Sequence, residues 1–293
     1  MKRFIVFALL ALATHTATAQ AYKIYDTRKA AEVSFDDMMA GLKTAYVVFF
    51  GEDHQDSTGH VLEQMVLKSL HQAHGEKLAL SLEMFETDVQ LVLDEYLAGL
   101  IKDKNLVTEG RAWPNYKDYR PLVDYCKENK LRVIAANTPK RYANAVTPNG
   151  LEVLNRFDKR AKQWLPRLPI DTAAGRYYEK FMEVMGEHSS PATAHIYHTQ
   201  NLWDATMAWS IVTNILNAKI SYVMHVCGHF HSDEKLGTVQ QFMNYAAKLD
   251  KWVPKVMNIS CYPDETFANP DWSKHATMGD YVILLPKKED KKN

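Results

Sequence analysis

One stretch of the sequence, AYVVFFGEDH at residues 45–54, decides the fold. Its first half is almost continuously apolar, which is typical of a strand in a parallel sheet that helices cover on both faces. Its second half is polar, and a helical pattern follows it. A buried strand that ends in polar residues before a helix is the repeating unit of an α/β fold.

Five other runs share this apolar composition, and the six together punctuate the chain between long helix-like stretches. They predict an α/β fold with a mostly parallel central sheet of about six strands and helices on both faces. The six runs are 45–51, 78–85, 132–136, 220–227, 256–261 and 281–285.

The rest of the chain predicts helices and an insertion. Residues 147–191 contain no strand-like run, and we expect a helical insertion there within one domain that spans residues 20–286. The longest helical pattern runs from about 192 to 217.

Side-chain oxygens that can cap helices precede three other helical patterns. The expected caps are Ser57, Asp88, and either Asn115 or Asp118.

The first 19 residues have the pattern of a secretory signal peptide. Lys2-Arg3 is a short basic start, residues 4–13 are apolar, and Ala17-Thr18-Ala19 offers small residues for cleavage after Ala19. We therefore expect an exported protein, either periplasmic or associated with the outer membrane. No cysteine follows the apolar run, so no lipid anchor is predicted at the mature terminus. Residues 287–293 form a polar tail.

Composition argues against several classes of function. Without Lys2 and Arg3, the 35 basic residues fall to 33 against 35 acidic ones, so no basic footprint for nucleic acid exists. The sequence contains no glycine-rich phosphate loop, no Gly-x-Ser-x-Gly elbow and no His-Glu-x-x-His motif. Three cysteines cannot pair fully, and a Cys227–Cys261 disulfide would require neighbouring strands.

Polar side chains cluster where the apolar runs end. Gly-x-x-His occurs twice, at residues 51–54 and 228–231, each time directly after an apolar run. Glu83 lies within another such run, where an ionised carboxylate would be costly unless it is paired or bound to a metal. Since ligands of open α/β sheets bind at the carboxyl ends of the strands, we expect one shared polar site at this edge.

The ordered set of motifs resembles the ChaN family of haem-binding uptake proteins. The resemblance runs from about residue 46 to 285, and that family is similar to the Tiki and TraB proteins and the erythromycin esterases. It implies haem binding in a bacterial uptake route for iron or haem. The motifs are GEDH at 51–54, SLEMFE at 81–86, YRPLV at 119–123, VIAANTPKRY at 133–142, QNLWDATMA at 200–208 and GHFH at 228–231.

Haem requires an apolar slot, an axial ligand and cations for its propionates. Aromatic, basic and imidazole side chains near the predicted edge could provide these, but the sequence leaves the axial ligand open. Haem exposes two flat faces, so a homodimer could enclose it, and outer-membrane haem transport components are expected partners. The predicted haem contacts are His54, Trp113, Tyr116, Arg120, Arg141, His229 and His231.

The alternative hypothesis is a metal-dependent hydrolase, which the Tiki branch of the resemblance implies. Two imidazoles and two carboxylates could hold a divalent metal ion that activates a bound water. Such an enzyme would be a peptidase or an esterase. The predicted metal ligands, and catalytic residues of a hydrolase, are Glu52, His54, Glu83 and His231.

Overall fold

A computed structural model describes residues 21–186, 191–217, 220–250 and 253–287. The predicted signal peptide at 1–19 and residues 288–293 of the predicted tail lie outside the described residues. Within the described ranges, eight strands form one sheet. They are β1 (Lys23–Asp26), β2 (Ala31–Glu32), β3 (Val47–Glu52), β4 (Leu78–Glu86), β5 (Arg132–Asn137), β6 (Tyr222–Gly228), β7 (Val256–Asp264) and β8 (Tyr281–Pro286).

The order of the strands across the sheet is β2-β1-β8-β7-β3-β6-β4-β5. All pairs between β8 and β5 are parallel, whereas β1 and β2 are antiparallel additions at one edge. The α/β class and the mostly parallel sheet are thus confirmed, with eight strands instead of about six. The six predicted runs are β3 to β8. Strands β1 and β2 were missed because they are short: β1 has four residues, and β2 has two residues, which are both exposed.

Helices cover both faces of the sheet. One face packs against α1 to α5, and the other packs against α6, α8 and α9. No helix in the described ranges is long and apolar enough to cross a membrane. The helices are α1 (Phe35–Leu42), α2 (Ser57–His74), α3 (Gln90–Leu97), α4 (Asp103–Glu109), α5 (Tyr116–Glu128), α6 (Lys140–Asn149), α7 (Arg176–Met185), α8 (Pro191–Asn217) and α9 (Gly237–Asp250).

The opening stretch shows why a continuous apolar run forms a central strand. Side chains of a strand alternate between the two faces of the sheet. Phe50 therefore packs with the helices of one face, and Phe49 packs with those of the other. Both rings are fully buried. β3 pairs with β6 on one side and β7 on the other, so its carboxyl end lies in the middle of the sheet.

Two of the predicted helix caps are wrong, and the third has another role. Asp56, rather than Ser57, caps α2 by accepting hydrogen bonds from the Thr58 and Gly59 amides. Asp88 bonds Arg111 and Arg141 and does not cap α3, whose N-cap position offers no side-chain bond. Asn115 stands at the N-cap position of α5, but its side chain donates to the carbonyl of His54.

The predicted insertion contains short 3-10 helices at Leu151–Arg156 and Ala161–Trp164, followed by α7. Lys180 of α7 is nearly buried and lies 3.2 Å from the carboxylate of Asp233, which follows β6. The same carboxylate contacts His229 and Ser260. α7 is therefore held against the sheet edge by a buried ion pair.

All three cysteines are buried and free. A Cys227–Cys261 disulfide is excluded because β3 lies between β6 and β7. Strands two positions apart are separated by about 9.5 Å, too far for a disulfide. Burial raises the pKa of each thiol, which suppresses the reactive thiolate.

We expect the folded protein to react with Ellman's reagent at a negligible rate, because all three thiols are buried and protonated. In denaturant, the same sample should release three equivalents of thiol. Absorbance of the thiolate released from the reagent measures the rate in the first case and the amount in the second. Rapid labelling of one cysteine under native conditions would contradict the placement of that residue in the core.

Candidate functional site

A cavity of about 340 Å³ opens at the carboxyl ends of β4, β5 and β6. Two tryptophan side chains contribute apolar surface, and carboxylate, amide, amine and imidazole groups contribute polar atoms. This combination of apolar walls and a few converging polar groups is typical of ligand sites. The cavity is lined by Glu83, Glu86, Trp113, Asn137, Thr138, Lys140, Ala143, Asn144, Trp203 and His231.

The position of His231 in this cavity is fixed by a carboxylate from α8. Its Nδ1 lies 2.7 Å from Asp204 Oδ1, and its Nε2 lies 3.8 Å from Glu83 Oε1. Asp204 also accepts hydrogen bonds from Tyr177 and Thr238. Burial alone would lower the pKa of His231, but the charges of Asp204 and Glu83 outweigh it and raise the pKa to about 9.

His54 is held in the same manner by a carboxylate of its own motif. Its Nδ1 lies 2.9 Å from Glu52 Oε1, which also accepts a hydrogen bond from Tyr119. The ring packs edge-on against Trp113, with centroids 5.2 Å apart. Burial opposes protonation, but the hydrogen bond to Glu52 and the charge of Glu83 raise the pKa of His54. Both Gly-x-x-His motifs therefore present an imidazole whose Nδ1 is held by an acid.

Glu83 lies where β4 separates from its neighbours. The regular pairing of β4 with β5 and β6 ends at Leu82, and a register shift follows. Glu83 Oε2 accepts a hydrogen bond of 2.8 Å from the amide of Gly228. A side chain at Gly228 would come within 2.8 Å of His54 Nε2. The glycine therefore lets β6 approach both Glu83 and His54.

A second group of polar side chains lies behind His54 and is deeply buried. Glu52, His60 and Glu63 each offer a ligand atom within 4.8 Å of the others. Burial and the neighbouring Glu52 carboxylate raise the pKa of Glu63 well above its ordinary value. Burial also tends to raise the pKa of Glu52, but hydrogen bonds from His54 and Glu63 outweigh it and lower that pKa. We call these three residues the inner group.

The predicted metal set and the inner group share Glu52 alone. Glu52 uses Oε1 to hold His54 Nδ1 and therefore acts as a partner of that imidazole. His54 and Glu83 lie beside Gly228, and His231 Nε2 lies 3.8 Å from Glu83 Oε1. In the described part of the chain, the three-residue cluster with the spacing of metal ligands is the inner group.

The structure brings some of the predicted haem contacts together at the cavity. Trp113 and His231 line it, and His54 contacts Trp113. Arg141 is not among the lining residues; it bonds Asp88 and lies over the ring of Tyr142.

Three other predicted contacts lie apart from the cavity lining. Tyr116 packs on Phe85 within the core. Arg120 pairs with Asp103 and Asp124 on the outer side of α5. His229 pairs with Asp233 and packs on Tyr262.

Several residues of the site were missed by sequence reasoning. Asp204, Lys140 and Trp203 belong to quoted motifs but were given no role. Glu63 was not considered. One signal for Glu63 was available: His60 and Glu63 are three apart on the buried face of α2, a spacing that places two side chains together.

The pairing of Asp204 with His231 gives a direct prediction. In the Asp204→Asn variant, the pKa of His231 should be about 1–3 pH units lower, because the opposing charge is lost while burial remains. Titration of the ring carbons by NMR, with histidine labelled and without added ligand, measures this. In the folded protein the pKa of His231 lies above 6.5, the ordinary value for histidine. The pair of His231 with Asp204 therefore stabilises the wild type fully below pH 6.5. That stabilisation is lost as the pH rises towards 9. An unchanged pKa would show that Asp204 does not control His231.

Comparisons with known proteins identify relatives of this chain. The family described as haem-binding uptake, Tiki superfamily, ChaN matches residues 38–242. A solved structure of ChaN of Campylobacter jejuni, described for its cofacial heme binding, is similar with a TM-score of 0.68. The match has 17% identity and covers 91% of this chain and 97% of that chain, so it shows the fold.

A curated relative shares one part of the sequence. Protein RETICULATA-RELATED 5, chloroplastic, of Arabidopsis thaliana is 29% identical over 126 residues. The match covers 41% of this chain and 17% of the plant protein. The chain thus spans about a sixth of the length of that relative.

Proposed function

The chain belongs to the ChaN family of haem-binding uptake proteins in the Tiki superfamily, and we propose that it binds haem in the cavity at the carboxyl ends of β4 to β6. The observation that supports this position is the convergence of two tryptophans and an oriented imidazole on one open cavity. The alternative, a metal-dependent hydrolase, gains no comparable support from the family match or the fold comparison.

The cavity walls suit a flat apolar macrocycle. Trp113 and Trp203 line the cavity from two different elements, the segment before α5 and the middle of α8. Large aromatic rings bury much apolar area on contact with a flat ligand. Trp203 is also backed by the buried residues Met207, Ala136 and Cys227, which restrict its movement. These walls would hold the ring of haem.

His231 is the candidate for the iron ligand. A ligating histidine usually donates its other ring N–H to a carboxylate or carbonyl, which fixes the tautomer and the ring orientation. Asp204 provides that carboxylate at Nδ1, so Nε2 is left to face Glu83 and the cavity. Bound haem would supply the iron and a strong visible absorption.

Lys140 is the candidate for a propionate partner. It stands at the start of α6, is exposed and lines the cavity. Arg111 and Arg141 are engaged with Glu86 and Asp88. Within the described ranges, no acidic partner of Lys140 is found among the ion pairs, so its amine can receive an anionic group.

The wider role that we propose is service in an uptake route for haem or iron. It rests on the family and on the signal-peptide pattern of residues 1–19. We propose an exported location, in the periplasm or at the outer membrane, and transport components of that membrane as partners. Two copies that meet at their cavities would enclose a flat ligand more fully than one, so we also propose a homodimer with haem.

Haemin titration of the purified mature protein tests the proposed function. We expect a saturable Soret band that is shifted from that of free haemin. Sedimentation at each ratio of haemin to protein reports whether copies associate. Uptake of haemin no better than by an unrelated protein of equal size would overturn the proposal.

A further inference from the structure

The inner group contains three atoms that attract a cation and are turned towards one another. His60 Nε2 lies 3.3 Å from the backbone carbonyl of His54, which can only accept, so this nitrogen carries the proton. In the neutral ring, Nδ1 is then a lone pair. That lone pair lies 3.2 Å from Glu52 Oε2 and 3.3 Å from Glu63 Oε2.

From this arrangement we infer that Glu52, His60 and Glu63 form a binding site for a divalent transition-metal ion such as Zn²⁺, separate from the cavity that Trp113 and His231 line. Carboxylate oxygen and imidazole nitrogen are ligands that such ions accept, whereas Mg²⁺ and Ca²⁺ prefer oxygen alone. Such a site would bind its ion whether or not the protein binds haem.

Two of the three distances within the inner group suit one central ion, and the third is no more than 4.8 Å. Ligand atoms about 2.0–2.2 Å from a tetrahedral Zn²⁺ are about 3.4 Å from each other. The two distances from His60 Nδ1 are 3.2 and 3.3 Å. The backbone carbonyl on Nε2 is also the outer partner that a metal-binding histidine commonly has, because it fixes the tautomer and the ring orientation.

Burial supplies the second, independent observation. Glu63 is fully buried and Glu52 is 1% exposed. Glu52 Oε2 and Glu63 Oε1 have no hydrogen-bond partner. In the described part of the chain, no lysine or arginine is paired with either carboxylate, and their ionic contacts are with His54 and His60. Two ionised carboxylates buried side by side without a lysine or arginine are costly, and a divalent ion would neutralise both.

Glu52 connects the two sites through opposite oxygens. Its Oε1 holds His54 Nδ1 and Tyr119, and its Oε2 faces His60 and Glu63. A metal ion in the inner group would therefore act on His54 through Glu52 and leave the cavity free for its own ligand.

Titration of chelator-treated protein with Zn²⁺ by calorimetry, in the absence of haem, tests the site. We expect the wild type to bind Zn²⁺ at one buried tight site. The Glu63→Gln and His60→Asn variants should lose that site, with an affinity at least about 100-fold lower. The matched controls Glu128→Gln and His71→Asn change an exposed glutamate and a histidine of α2 outside the inner group, and they should bind as the wild type does.

Thermal unfolding separates loss of the site from loss of the fold. Zn²⁺ at about 100 times its Kd should raise the Tm of the wild type by about 5 °C and leave that of Glu63→Gln unchanged. A folded Glu63→Gln protein shows a cooperative transition without metal. Mg²⁺ should have no effect on either protein.

Anomalous diffraction from wild-type crystals soaked in Zn²⁺ locates the ion without any variant. A peak between Glu52, His60 and Glu63 supports the inference. A peak only between His54, Glu83 and His231, or equal Zn²⁺ affinity in the wild type and Glu63→Gln, overturns it. The absence of any tight Zn²⁺ site also overturns it, and the inner group then holds protons only. Failure of haem binding would leave these results unaffected.

Discussion

Haemin should bind to the His231→Ala variant at least about 10- to 100-fold more weakly than to the wild type. Loss of an outer partner of a metal-ligating histidine alone costs about that much, and here the imidazole itself is removed. The reason is geometric: Asp204 holds Nδ1 at 2.7 Å, so Nε2 is already directed towards the cavity before a ligand arrives. Titration followed by the Soret band gives both affinities.

The matched control changes a histidine that does not line the cavity. His71 lies on α2, where its Nδ1 contacts the hydroxyl of Tyr125. The His71→Ala variant should therefore bind haemin as the wild type does. If His231→Ala binds haemin with wild-type affinity and an unchanged Soret band, His231 is not the iron ligand. A weaker effect in Lys140→Ala, with an unchanged band shape, would be expected of a propionate partner.

Replacement of Asp233 by alanine should lower the free energy of unfolding by about 3–5 kcal/mol, the typical cost of removing one partner of a buried ion pair. Lys180 is 8% exposed, so its amine would be left buried without its carboxylate. His229 and Ser260 would lose the same acceptor. Urea unfolding followed by tryptophan fluorescence measures the change.

The control for this prediction is an ion pair on the surface. Lys248 and Asp171 are paired, but both side chains are more than 60% exposed. The Lys248→Ala variant should therefore unfold at nearly the same urea concentration as the wild type, because exposed pairs contribute little. If Asp233→Ala is as stable as Lys248→Ala, the pair does not hold α7 in place.

Much of the fold could be predicted because burial on both faces leaves a simple pattern. Runs such as 45–51 are apolar throughout, and no other common arrangement explains several of them between helices. The edge strands β1 and β2 leave no such pattern, since two exposed residues form β2. The predictions of helix starts were wrong for a related reason. Neighbouring Asp56 and Ser57 can both cap a helix, and only the local backbone decides between them.

The candidate site could be predicted only in part. The polar residues at strand ends were found because their positions follow from topology. Partners that come from distant elements were not found, since sequence separation conceals them: Asp204 reaches His231 from α8 across 27 positions. Arginines in particular were assigned by charge alone. Arg141 instead satisfies Asp88, which no local pattern indicates.

The two glycines of the Gly-x-x-His motifs make the motifs depend on each other. A side chain at Gly228 would collide with His54, and one at Gly51 would come within 2.8 Å of the backbone of His229. Each glycine thus clears space for the other motif rather than for its own. Because each glycine makes room for the other motif, the losses of stability caused by the two glycine substitutions should not be additive. Once either glycine carries a side chain, substitution of the second should lower the stability little further. Neither motif should therefore retain its geometry when it is transferred alone into another sheet.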